Sequence, residues 1–224
     1  MPLEMDAIVT AFGLTPLDEG TATGEVAGFD VTATHIGMGP PATRAALRRL
    51  FDSGEQVDHV MIAGICGGLD PDLPVGTLVN PEILVDHTTG ATFRHSPPGS
   101  APMAGKLVTT ERVMFDLDLS RRFFADGCIG VDLESAAVAE VCEERGQTWS
   151  VYRCIGDRYV DGLLDERLVA LSNQDGSANL DEVAKLLAAE PELAARMTQL
   201  GKDAANAARL AAEAAVRGLH ALAV

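Results

Sequence analysis

The sequence predicts an α/β fold built around a mainly parallel sheet. Short runs rich in Val and Ile recur along the chain, helical patterns fall between several of them, and several runs stop at glycine or a small polar residue. Strands that alternate with helices bury both faces of one sheet. The strand candidates are residues 7–12, 31–36, 60–65, 77–85, 106–109 and 149–155. Helices are expected over 41–51 (PATRAALRRLF) and 134–145 (ESAAVAEVCEER), each after such a run. Residues 96–105 (SPPGSAPMAG) read as a loop, and 158–177 as irregular chain ending in the turn-like NQDG of 173–176. From about residue 178 the chain is alanine-rich and helical in period. There Pro191 falls at a helix start, and Leu193, Met197, Leu200, Ala204, Ala207 and Ala211 form one packing stripe. No repeat or linker divides the chain, so residues 1–224 are expected to form a single domain.

A hydrophobic fraction of 47% over 224 residues suffices for a core without disulfides. The net charge of −16, from 33 acidic against 17 basic residues, argues against nucleic acid or an anionic membrane as partner. Cys66, Cys128, Cys142 and Cys154 are far apart, form no C-x-x-C pair and read as small core residues. The five histidines show no ligand spacing, so no metal is expected. The start, MPLEMDAIVTAF, lacks the basic region of a signal peptide, and no apolar run approaches the ~18 residues of a spanning helix. A cytoplasmic protein with a small-molecule partner is the expectation.

Two glycine clusters follow strand candidates. HIGMGPPA (35–42) is a Gly-x-Gly turn opening a helix, a geometry that presents backbone N–H groups to an anion. Dinucleotide binding fits it poorly, because Pro40 and Pro41 remove two donors and the next strand ends in Cys66-Gly67-Gly68 rather than a ribose-binding acid. AGICGGLDPDLPVG (63–76) either turns sharply or lets a ligand lie against the backbone at Cys66 and Gly67.

Two acids stand out. Glu134 shares a helix face with Val138, Val141 and Cys142, at i+4, i+7 and i+8, and should point inward. It is either a cap favoured by the helix dipole or an acceptor for two adjacent hydroxyls, as in a ribose diol. Asp157 follows Gly156 at the end of a strand, near the sheet's carboxyl edge with Glu134. It is either a loop-start cap or a general acid with a raised pKa.

The segments GMGPPATRAAL, AGICGGLDPDLPVGTLV, VDLESAAVAEVCEERG and YRCIGD, in this order over about residues 7–157, resemble the nucleoside phosphorylase and nucleosidase superfamily. That group includes purine nucleoside phosphorylases and methylthioadenosine/S-adenosylhomocysteine nucleosidases. The resemblance implies a three-layer α/β/α domain with a mixed, partly barrel-like sheet, cleavage of a purine N-ribosyl bond, and no cofactor beyond phosphate as a candidate co-substrate. It implies Glu134 as the ribose acid, Asp132 before it, Leu133 by the sugar and base, Val113 and Met114 beside the base, and Asp157 as the acid at purine N7. It also implies a homodimer. In the hydrolytic branch a glutamate after the first strand handles the attacking water; here the matching position falls near Leu17, with Asp18 and Glu19 out of register. The phosphate-binding Ser and Arg of the phosphorylases align with Ile65 and Ile62, leaving Gly13, Gly39 and Arg44 as phosphate candidates. GMGPPATRAA, AGICGGLDP and NQDGSANLDEVAKLL are similar to a hopanoid-associated branch acting on adenosylhopane. The competing expectation is a nucleoside-binding protein of the same fold that has lost its nucleophile site.

Overall fold

A computed structural model describes residues 1–223 except 19, 99–101, 163–164, 172, 174–176 and 178. Parts of the expected 96–105 loop and the NQDG turn, Glu19 and Ala178 therefore lie outside the described residues.

The chain opens with helix α1 (Pro2–Phe12) and an antiparallel sheet of β1 (Thr15–Asp18), β2 (Thr21–Val26) and β3 (Phe29–Thr34). Helix α2 (Pro40–Asp52) leads to β4 (Val60–Gly68), β5 (Leu78–Val79), β6 (Ile83–Asp86), β7 (Thr92–Arg94) and β8 (Lys106–Thr109). Then follow α3 (Leu117–Ala125), β9 (Cys128–Asp132), α4 (Ser135–Glu144), β10 (Trp149–Arg158), α5 (Glu166–Val169), α6 (Leu180–Ala189) and α7 (Leu193–Leu222). The second sheet has the order β5-β10-β4-β9-β8-β6-β7. It is mixed rather than mainly parallel: β10/β4, β6/β8 and β8/β9 are parallel, while β10/β5, β4/β9 and β6/β7 are antiparallel.

Residues 7–12, expected as a strand, are the last turns of α1. Met5, Ile8, Val9 and Phe12 recur at helical spacing and pack with Ala215 and Leu219 of α7. The short window hid that period behind its Val and Ile content. Gly13, left-handed at φ 64°, ends the helix by donating its N–H back to Thr10 and Val9. Residues 77–85 split into β5 and β6 around Asn80-Pro81, where proline cannot continue a ladder.

The core forms between the large sheet and α4, whose Ala136, Ala137 and Ala139 let the helix sit close to it beside Val138, Val141 and Cys142. On the other side α7 packs across β10 and β4 and against α1. Of its expected stripe, Leu193, Ala207 and Ala211 are buried, while Met197, Leu200 and Ala204 are half-buried. All four cysteines are buried and free, as small core residues should be. No helix among the described residues is long and apolar enough to cross a membrane.

Candidate active site

The expected common carboxyl edge for Glu134 and Asp157 is not what brings them together. Strand β9 runs antiparallel to β4 and overlaps it only at Gly67 and Gly68. The carboxyl end of β9 and those of β4 and β10 therefore reach one place from opposite directions. That place is a cavity of about 1290 Å³, lined by Glu134, Asp132, Leu133, Val113, Met114, Cys66, Gly67 and Asp157 among others.

Arg153, on β10 and almost wholly buried, organises the acids. Its Nη2 lies 2.8 Å from Asp132 Oδ2 and 2.9 Å from Glu134 Oε2. Nη1 donates to the Ile65 carbonyl at 3.3 Å and lies 3.7 Å from Glu4 Oε1, while Nε donates to Ser135 Oγ at 3.2 Å. Burial works against the guanidinium charge, but Asp132, Glu134 and Glu4 outweigh it and raise the pKa. A buried arginine is tolerable only with such partners.

Glu134 is the N-cap of α4 and does not use its side chain to cap. Its Oε1 accepts the Gly39 N–H at 3.2 Å. Burial pushes its pKa up and Asp132 adds to that, while Arg153 and the Gly39 bond oppose the rise. Asp132 has less freedom. It accepts from Thr109 Oγ1 at 2.6 Å, from Ser135 N at 3.1 Å and from the Ser135 hydroxyl, as well as facing Arg153. With both oxygens engaged it orients its neighbours.

Asp157 contrasts with both. A bulge between Ile155 and Asp157 turns its side chain at the strand end, beside Gly67. No protein donor bonds its carboxyl among the described residues. Burial, with a smaller push from Asp161, raises its pKa to about 6. A carboxyl left without donors in an apolar site holds its proton near neutrality.

Glu4 was missed by the sequence reading. It stands in the first turn of α1, lines the same cavity, and accepts the Ile65 N–H on Oε1 at 2.8 Å. The Met1 ammonium lies 2.6 Å from its Oε2. Gly64 makes this possible, because a Cβ there would collide with the Glu4 carboxylate and the Arg153 guanidinium. The position sought near Leu17 is corrected: Leu17 is on exposed β1 and Asp18 lies beside it, away from the cavity lining.

The phosphate set does not assemble. Gly13 is at the exposed C-terminal end of α1, where carbonyls and the helix dipole repel anions. The Gly39 N–H is already committed to Glu134, so the Gly-x-Gly turn does hold an anion, but one supplied by the protein. Arg44 bridges Asp86 at 2.8 Å and Glu140 at 2.6 Å, tying α2 to β6 and α4 outside the cavity lining. The arginines that do line the cavity are ion-paired: Arg153 as above, Arg158 to Asp161 at 2.7 Å, and Arg167 to Asp165 and Glu190 at 3.0 and 2.8 Å.

Glu134 and Asp157 thus stand on one cavity of an α/β fold with a mixed sheet. The model of the phosphorylase superfamily matches residues 1–125, and the chain belongs to that family. A 5′-methylthioadenosine/S-adenosylhomocysteine nucleosidase from Tolumonas auensis is 27% identical over 165 residues, covering 60% of this chain and 71% of the relative. Among solved structures, the corresponding nucleosidase of S. pneumoniae with the transition-state inhibitor MT-ImmA has a TM-score of 0.72 at 16% identity, covering 99% of this chain and 96% of that one. The nucleosidase of Colwellia psychrerythraea with adenine also gives 0.72, at 17% identity and coverages of 99% and 92%.

Proposed function

We propose that this protein hydrolyses the N-ribosyl bond of a 5′-substituted adenosine. The chain is an enzyme of the nucleoside phosphorylase and nucleosidase kind, acting on a purine nucleoside. The observation that carries the proposal is the division of acids around one cavity. Glu134 is held by Arg153 and Gly39, Asp157 has no donor among the described residues, and Glu4 is a third carboxylate within reach of Arg153.

In this reading Glu134 accepts the ribose hydroxyls. Asp157 donates its proton to purine N7 as the C1′–N9 bond breaks, so the base leaves neutral. Water adds to C1′ and gives its proton to Glu4; Glu4 then releases that proton to solvent and Asp157 takes one up, which restores both carboxyls. Leu133, Val113 and Met114 flank base and sugar, and Gly67 admits the ligand near Asp157. Water suits this cavity better than phosphate. A phosphate anion would face Glu4, Asp132, Glu134 and Asp157 while the lining arginines are already occupied.

The 5′-substituent is proposed to be apolar, with adenosylhopane as its bulky limit. Met38 and Leu117 are exposed hydrophobics on the cavity wall. A cytoplasmic homodimer completes the proposal. Leu117 and Phe124, two turns apart on one face of α3, offer exposed apolar surface for a second copy, which sizing by light scattering checks.

The test is incubation with 5′-methylthioadenosine and with longer 5′-alkyl analogues, with and without phosphate. Free adenine is expected at equal rates in both buffers, faster for the apolar substituents. Adenine only with phosphate would replace hydrolysis by phosphorolysis, and no adenine under either condition would sink the reading.

A further inference from the structure

Strand β10 and the turn after it bring Arg153, Asp157 and Tyr159 to the cavity in succession, and Tyr159 has no part in the reaction proposed above. Arg153 braces Glu134 at the ribose end, and Asp157 follows four residues later. Tyr159 opens a single 3₁₀ turn, Tyr159–Asp161, just past the strand. Arg158 between them is extended, at φ −126° and ψ 139°. Residues on either side of an extended residue turn their side chains the same way, about 7 Å apart. Asp157 and Tyr159 therefore stand side by side, with Tyr159 beyond Asp157 along the line that starts at Arg153. The ring of Tyr159 is held and its hydroxyl is not. The ring packs against the cluster of Leu69, Val108 and Phe123, as does Met114. Arg158 closes the turn behind it. Its Nε and Nη2 donate to the two Asp161 oxygens at 2.9 and 2.7 Å, and its Nη1 donates to the Pro71 carbonyl at 3.2 Å. The phenolic hydroxyl has no hydrogen-bond partner among the described residues.

A purine presents N7 and its 6-substituent on one edge. With the sugar at Glu134 and N7 at Asp157, that edge runs on from Asp157 toward Tyr159. We propose that Tyr159 reads the 6-position of the base, its hydroxyl oxygen accepting a hydrogen bond from the 6-amino group of an adenine nucleoside. The inference rests on the nucleoside reading above and deepens it. Transfer of the Asp157 proton to N7 draws electrons from the 6-amino group, so its N–H becomes a stronger donor as the bond to the sugar breaks. An interaction that strengthens toward the transition state speeds turnover as well as binding. Because the turn and the ring are fixed beforehand, little order has to be imposed when the base arrives.

The test crosses two proteins with two ligands. Wild type and Tyr159→Phe are each given 5′-methylthioadenosine and its analogue with hydrogen in place of the 6-amino group, and release of the free base is followed by chromatography. Phenylalanine keeps the packed ring and removes only the hydroxyl. Tyr159→Phe should lower kcat/KM about tenfold on the 6-amino substrate and less than about twofold on the 6-hydrogen one. Equal losses on both substrates overturn the proposal and make Tyr159 a packing residue; no loss on the 6-amino substrate overturns it too. Equilibrium binding of adenine and of unsubstituted purine to the same two proteins needs no turnover. There the variant should bind adenine about tenfold more weakly and purine as wild type does. That pattern, with no base released by wild type, would refute the hydrolysis and leave the base contact standing. A variant that binds adenine as tightly as wild type overturns the contact.

Discussion

Helices α1 and α4 carry the same pattern and met opposite fates in the sequence reading. In α4 the acid Glu134 is followed by Val138, Val141 and Cys142; in α1 the acid Glu4 is followed by Ile8, Ala11 and Phe12 at the same +4, +7 and +8 spacing. Both acids end in one cavity, on either side of Arg153. Glu134 is braced by a buried polar network that runs through Asp132, Thr109 and Ser135. Glu4 has no such network: it rests on the Ile65 N–H, the Met1 ammonium and Arg153 at 3.7 Å. The difference teaches that the spacing of apolar residues behind an acid sets its direction, while the strand before the helix sets how firmly it is held.

Arg153 is the shared element, and removing it breaks both sides at once. Arg153→Met should destabilise the fold by about 3–5 kcal/mol, because three carboxylates are left facing one another without a counter-charge. Urea unfolding followed by circular dichroism measures this, and a loss below about 1 kcal/mol would mean the acids are hydrated rather than held by Arg153.

Asp157→Asn separates the proton donor from both helices. Turnover should fall about 10²–10³-fold, and the decline of wild-type activity as pH rises through about 6 should disappear. Stability should move the other way. The native carboxyl has a pKa raised from 3.8 to about 6, so the folded state binds the proton more tightly than the unfolded chain. Asp157 therefore costs stability increasingly as pH rises between those values, fully so above about 6. The Asn variant should accordingly melt higher than wild type at pH 8 and the same as wild type near pH 4.

Two smaller changes address one helix each. Gly64→Ala places a methyl group against Glu4 and the adjacent Arg153 nitrogen, and should lower kcat with nucleoside binding retained. Thr109→Val removes the donor to Asp132 and the acceptor of the Ala136 N–H, at a cost of about 1–3 kcal/mol, and should weaken nucleoside binding through a loosened Glu134. Steady-state kinetics beside thermal melts distinguishes the two. An identical effect on KM and kcat in both variants would erase the contrast between the helices.

Much of the α4 side was legible because its physics is local. The acid, its face and the preceding apolar run are contiguous in VDLESAAVAEVC. Asp157 was legible as an acid after Gly156 at a strand end, although its raised pKa depends on burial that only the fold supplies. The mixed sheet was not readable from apolar runs, because whether β9 meets β4 parallel or antiparallel depends on connections rather than composition. Arg153 left a signal that went unused: a lone arginine inside the apolar run WSVYRCIGD demands buried acids. Glu4 was hidden because residues 7–12 were read by content instead of period. The phosphate candidates failed for a single reason, since nearness to a glycine turn says nothing about whether its N–H groups are already taken.

The central claim is that Glu134 binds and Glu4 delivers water. Steady-state kinetics of adenine release from 5′-methylthioadenosine by Glu4→Gln and Glu134→Gln tests it most directly. The account predicts that Glu4→Gln lowers kcat about 10²–10⁴-fold with KM within about threefold of wild type, whereas Glu134→Gln raises KM as well. Wild-type turnover by Glu4→Gln would contradict it.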